Sequence, residues 1–115
     1  MKSKLGTPNK ATLARWDVMQ DIGCIACLKE GNPGVKGDVH HVLHAGRRVS
    51  HDHSLVLCSW HHRGVPLGTS AKETEKILGP SLARSKRDFT ARYGTERELL
   101  ELVDTLVEER RKLIR

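Results

Sequence analysis

Cys24 and Cys27 form a C-x-x-C pair, and Cys58 and His61 repeat the same gap as C-x-x-H. A gap of two residues lets one tight turn aim both side chains at a single ion while backbone amides hydrogen-bond the sulfurs. Zinc accepts such a mixture as a closed tetrahedral Cys3His site. The alternative is three buried free cysteines beside an unrelated histidine. Composition favours the metal: the 115 residues are 37% hydrophobic and include only two Trp, one Tyr and one Phe. A core this short of large fillers needs a supplement, and in small domains that is a disulfide or a structural metal. Three cysteines is an odd number, and the basic N-terminus MKSKLGTPNK has no apolar run behind it. The chain therefore reads as soluble and cytoplasmic, in a reducing compartment where cysteines serve metals. No stretch reaches the roughly 18 apolar residues of a membrane span, so no membrane partner is expected.

The spacing predicts one domain of class α+β over residues 11–115, preceded by a flexible basic arm over residues 1–10. A helix is expected from Ala11 to Ile22, with Gly23 at the left-handed cap position. It delivers the chain into the first cysteine pair. Two strand-like runs follow, Val39 to Leu43 and Ser54 to Cys58, read as an antiparallel pair joined by a long polar loop. Residues 24–63, which hold every cysteine and histidine, are expected to form the core that carries the chemistry, and residues 70–115 a helical extension. In the extension SAKE at 70–73 and TERE at 95–98 have capping-box form, and SLARSKRDFTARYG lies between them. Leu99, Leu102, Val103, Leu106 and Leu113 recur at helical spacing and are expected to face the core.

All seven histidines lie between His40 and His62. One closed zinc site uses His61 and leaves His40, His41, His44, His51, His53 and His62 without a task. Neighbours on a regular strand point to opposite faces, so His40 and His41 are expected to have different jobs. His62 follows directly on a zinc ligand, which fixes its backbone while its ring aims elsewhere; a rigid zinc node can position a second, open metal site in this way. His44, His51 and Asp52 read as ordinary surface residues. The net charge of +6, from 20 basic and 14 acidic side chains, suits a polyanionic partner.

The order C-x-x-C, a residue-His pair on a strand, a polar residue five before a Cys, then C-x-x-[CH]-H, resembles the zinc-containing HNH nucleases of the ββα-metal (His-Me finger) superfamily. Here these are Cys24 and Cys27, His40 and His41, His53, and Cys58, His61 and His62. The stretch HHVLHAGRRVSHDHSLVLCSWHHRGV, followed by a helical FTARYG, is most similar within it to the phage recombination-enhancement nucleases, which act with the host strand-exchange recombinase.

The resemblance implies a metal-dependent DNA endonuclease in which His41 is the general base and His53 takes the place of the Asn that orients it. Cys24, Cys27, Cys58 and His61 would hold structural Zn²⁺, and His40 and His62 a catalytic Mg²⁺ or Mn²⁺. His40 stands where the family has Asp, which removes a charge and softens the site towards transition metals. His53 for Asn makes the orienting group itself titratable. Arg47, Arg48 and Arg63 flank the proposed centre and are the candidate DNA contacts. Implied partners are DNA and a host recombinase filament, in the host cytoplasm if the gene belongs to a phage. The competing reading is a catalytically silent zinc-stabilised module that binds DNA or protein; it leaves His40, His41 and His62 idle. A histidine-rich metal carrier is a further rival that the basic surface argues against.

Overall fold

The computed structural model describes residues 6–44 and 46–114. Helix α1 (Lys10–Ile22) starts where the Asn9 side chain accepts from the Thr12 amide at 2.8 Å, and stops at Gly23, φ +92°, whose amide donates to the Met19 carbonyl. The end of the expected basic arm thus belongs to a helix cap, because Asn9 supplies one; residues 1–5 of that arm lie outside the described residues. A one-turn helix, α2 (Ile25–Lys29), follows at once with Cys24 as its N-cap.

Strands β1 (Asp38–His41) and β4 (Ser54–Leu57) pair antiparallel, with Asp38 opposite Leu57 and His41 opposite Ser54. Between them lies a small hairpin of β2 (Leu43–His44) and β3 (Arg47–Arg48), with Gly46 at φ +76° in its connection. The expected single strand to Leu43 is therefore split. Pairing with the β4 side continues only to the Val42 amide, which donates to the His53 carbonyl at 2.7 Å, and Leu43 then joins its own hairpin. All four β4 residues are buried, which explains why Leu55, Val56 and Leu57 follow one another without a polar residue. The helix α3 (Ser59–Arg63) continues directly from β4, with Cys58 as its N-cap and Gly64, φ +71°, as its left-handed cap. Strand, strand and short helix make a ββα unit.

Three further helices cover it: α4 (Ala71–Leu78), α5 (Lys86–Tyr93) and α6 (Glu96–Ile114). Residues 81–84 fall within the expected helical extension but outside α5, which begins after Ser85; that residue is extended and accepts from the Asp88 amide at 3.2 Å. The preceding segment is instead tied to α3, since the Leu82 amide donates to the His61 carbonyl at 2.9 Å. The capping box of α6 is complete: the Glu98 amide donates to Thr95 Oγ1 at 3.1 Å and the Thr95 amide to Glu98 Oε1 at 3.0 Å. Leu99, Val103 and Val107 of α6 enter the core with Met19, Ile22, Leu55, Trp60, Phe89 and Tyr93, while Leu113 is exposed. Among the described residues no helix is long and apolar enough to cross a membrane.

One glycine sets where β1 lies. A side chain on Gly37 would strike the Leu57 carbonyl, and its Cβ would fall 2.7 Å from Cys58 Cα. The absence of a side chain lets β1 run tight against the end of β4, one residue from a sulfur ligand.

Candidate functional site

Cys24, Cys27, Cys58 and His61 are all buried, and their ligand atoms lie within 4.8 Å of one another. The two C-x-x-[CH] turns are N-caps of short helices: the Cys27 amide approaches Cys24 Sγ at 3.4 Å and the His61 amide approaches Cys58 Sγ at 3.5 Å. Cys27 Sγ lies 3.7 Å from Cys58 Sγ, and His61 Nδ1 lies 3.5, 3.4 and 3.2 Å from the sulfurs of Cys24, Cys27 and Cys58. A tetrahedron with Zn–S near 2.3 Å has S···S edges of about 3.8 Å and S···N edges of about 3.6 Å. The Cys27–Cys58 edge and the three edges to His61 Nδ1 are close to those of a zinc tetrahedron. His61 is already turned the right way. Its Nε2 lies 2.8 Å from the Leu78 carbonyl, which can only accept, so the proton sits there and Nδ1 faces the sulfurs. In competition for protons, hydrogen bonds from Cys24 and Cys27 push the Cys58 thiol far down. Hydrogen bonds with Cys24 and Cys58 push Cys27 far up. Burial disfavours a charged His61, but the Cys24 and Cys58 sulfurs push it up to about 10. One divalent cation would resolve this competition, displacing protons on binding.

The node sits where β4 runs into α3, and β1, paired with β4, carries His40 and His41 on its two faces. On one face, the rings of His40 and His62 lie 5.1 Å apart. Asp38, two residues before His40 and so on the same side of β1, brings Oδ2 to 2.9 Å from His62 Nδ1 and 2.9 Å from Arg63 Nε. The His62 hydrogen bond and the Arg63 charge hold the Asp38 carboxyl below its usual range, against the cost of burial. A carboxylate accepts, so His62 Nδ1 carries the proton and Nε2 is free to bind an ion. His40 Nε2 lies 3.3 Å from Glu96 Oε1 at the start of α6. That contact lowers the Glu96 pKa, again against burial. Two imidazoles and two carboxylates thus meet on this face. Among the described residues, however, only the Cys3His group draws three or more ligand atoms this close.

On the other face of β1, His41 Nε2 lies 2.9 Å from His51 Nδ1, and the edge of Trp16 packs against both rings. Burial first, then the charge of Arg48, holds the His41 pKa below its ordinary value and keeps the ring neutral.

A family profile described as recombination enhancement, RecA-dependent nuclease matches residues 9–108. The chain belongs to that family. Among curated proteins no match is found.

In this member of the RecA-dependent nuclease family one histidine lies away from the partner that the resemblance assigned it. His53, expected to orient His41, is exposed; its backbone carbonyl pairs with Val42, and its ring lines a surface cleft with Leu100 and Asp104. The ring bonded to His41 belongs to His51, which the sequence marked only as surface. The reason is register: Ser54 stands opposite His41, and the chain turns just before it, swinging the residue three positions earlier back over the strand. Asp38 and Glu96 were also missed. The period of two along β1 points to Asp38, since it shares a face with His40; nothing local points to Glu96, which is brought in by α6. Arg47 and Arg48 are exposed on β3, and Arg63 is exposed beside Asp38.

Proposed function

We propose that this protein is an HNH-type, metal-dependent endonuclease that hydrolyses the phosphodiester bonds of DNA. The observation that supports it most is the division of labour across β1. His40 faces His62 and two carboxylates, His41 faces a histidine partner, and their strand pairs with the one that leads into the Cys3His node. Zn²⁺ on Cys24, Cys27, Cys58 and His61 would be structural. His40 and His62 would hold Mg²⁺ or Mn²⁺, with Asp38 orienting His62. Such an ion supplies positive charge for the phosphate and the departing 3′ oxygen.

The chain's own residues do the rest. The free nitrogen of His41 takes a proton from a water as its oxygen bonds to phosphorus. The P–O3′ bond breaks, the 3′ oxygen takes a proton from solvent, and the ends are 5′-phosphate and 3′-hydroxyl. Arg47, Arg48 and Arg63 bind the backbone, so sequence preference is weak and salt dependence strong. The family's name supports a strand-exchange recombinase filament on DNA as the working partner, in the cytoplasm.

One observation favours a second reading, a catalytically silent zinc module: the His40 ring is engaged with Glu96, and its face is not drawn together as a ligand set. Cleavage of single-stranded, duplex and recombinase-coated DNA, with Mg²⁺ or Mn²⁺, separates the two. Cutting by wild type that His41→Ala abolishes, with zinc content and folding intact, is the expected result. DNA binding without cutting in any condition would leave the silent module as the better account.

A further inference from the structure

His51 was assigned no task by the sequence, yet its ring sits in the middle of a hydrogen-bonded row. Its Nε2 lies 2.8 Å from the Gly6 carbonyl and its Nδ1 lies 2.9 Å from His41 Nε2. The protons in this row follow from its end. A carbonyl can only accept, so His51 Nε2 must carry a hydrogen. In the neutral ring the other nitrogen, Nδ1, is then the acceptor. His41 Nε2 must in turn donate to it, which leaves His41 Nδ1 as that ring's one free lone pair.

The residue that imposes this order is itself held firmly. The Trp16 indole donates to the His51 carbonyl at 3.2 Å and to Ser54 Oγ at 3.0 Å, and Ser54 Oγ donates to the same carbonyl at 2.6 Å. Thr12 Oγ1, one turn earlier on α1, donates to Asp52 Oδ1 at 2.9 Å. Two α1 side chains therefore hold the His51 carbonyl and the side chain of the next residue. Trp16 also stands edge-on to both imidazoles, at 87° and 89°, which restricts how either can rotate.

We infer that His51 is the positioning residue for the general base: it fixes His41 as the Nε2–H tautomer and aims Nδ1 at the water. This rests on the reading of His41 as base, but the tautomer itself is a property of the free protein and can be measured without any reaction. Neutral imidazole in water populates both tautomers, so an unrestrained His41 would present the wrong nitrogen part of the time. A fixed tautomer removes that loss and the cost of ordering the ring during the reaction.

The test is a long-range ¹H–¹⁵N correlation spectrum of zinc-loaded, full-length protein labelled at histidine nitrogen, beside kinetics of the same samples. Wild type is expected to show hydrogen on Nε2 of both His41 and His51. In His51→Leu the His41 signals should move to a mixture of tautomers, with kcat down by at least about 10-fold and KM for DNA little changed. In His51→Asn, whose Oδ1 can take the place of Nδ1 as acceptor, the Nε2–H tautomer and most of kcat should return. Hydrogen on Nδ1 of His41 in wild type would overturn the inference, and so would a tautomer indifferent to His51→Leu. If His51→Leu fails to fold, the wild-type and His51→Asn spectra decide. If wild type shows the expected tautomers but never cuts DNA, it is the nuclease reading that fails and not the proton order of the row.

Discussion

His62 donates through Nδ1 to Oδ2 of Asp38 at 2.9 Å, on a carboxylate that Arg63 shares. A metal-binding imidazole is commonly braced in this way, and loss of the brace typically costs 10–100-fold in affinity. Asp38→Ala should therefore weaken Mn²⁺ binding to the zinc-loaded protein by roughly 10-fold or more, read by calorimetry or by the Mn²⁺ electron-spin signal. Zinc content should not change, since Asp38 touches none of the four residues of the node. An affinity equal to wild type would remove His62 from the metal-binding proposal.

Zinc removal should unfold the core. The node joins the end of α1, through Cys24 and Cys27, to the junction of β4 and α3, and its binding energy of about 10 kcal/mol is then folding energy. A strong chelator, or Cys58→Ser, should abolish the cooperative thermal transition measured by circular dichroism. Readdition of Zn²⁺ should restore it for wild type. A melting curve unchanged after zinc loss has been verified by elemental analysis would show that packing alone holds this fold.

Acid should loosen the brace behind the node. Glu30 accepts from Arg92 at 2.9 Å and from the Tyr93 hydroxyl at 3.0 Å, while Tyr93 also bonds the Leu78 carbonyl beside His61. The Arg92 hydrogen bond outweighs burial and lowers the Glu30 pKa below 4.5. The folded value is thus below the unfolded one, so the contribution is present above about pH 4.5 and is lost as pH falls through the folded value. In denaturant titrations Glu30→Gln should be less stable than wild type at neutral pH, and the gap should close in acid. A gap independent of pH would mean that the ionised carboxylate is not what stabilises this contact.

How much of this was legible depended on whether the signal was local. Cys24, Cys27, Cys58 and His61 announce themselves because each pair is closed by one turn. The caps at Ser70 and Thr95 are likewise written within four residues. The split of the first strand was not legible, since Val42 is as β-prone as its neighbours and only the pairing decides where the ladder ends. His51 and His53 look alike in sequence. Which of them reaches His41 depends on the bend before Ser54 and on Trp16, 35 residues earlier than His51. Glu96 lies on a different helix, 56 residues from His40. Contacts of that reach are set by how α1 and α6 dock on the ββα unit, and no periodicity records them.

The exposed arginines of β3 make the last prediction. Arg47 and Arg48 stand on a hairpin outside the packed core, with Arg48 close enough for its charge to lower the His41 pKa. If they grip the DNA backbone near the reacting phosphate, each contributes a released counterion. The slope of log Kobs against log salt should then become shallower by about 1 for each arginine replaced by alanine. Binding should weaken to a similar degree on DNAs of different sequence, because phosphate contacts carry no base information. Stability should change little, since surface replacements of this kind usually stay within about 0.5 kcal/mol. Fluorescence anisotropy at four or five salt concentrations, on two unrelated duplexes, measures both quantities together. A slope unchanged in the double variant would move the DNA path off this hairpin and towards Arg63.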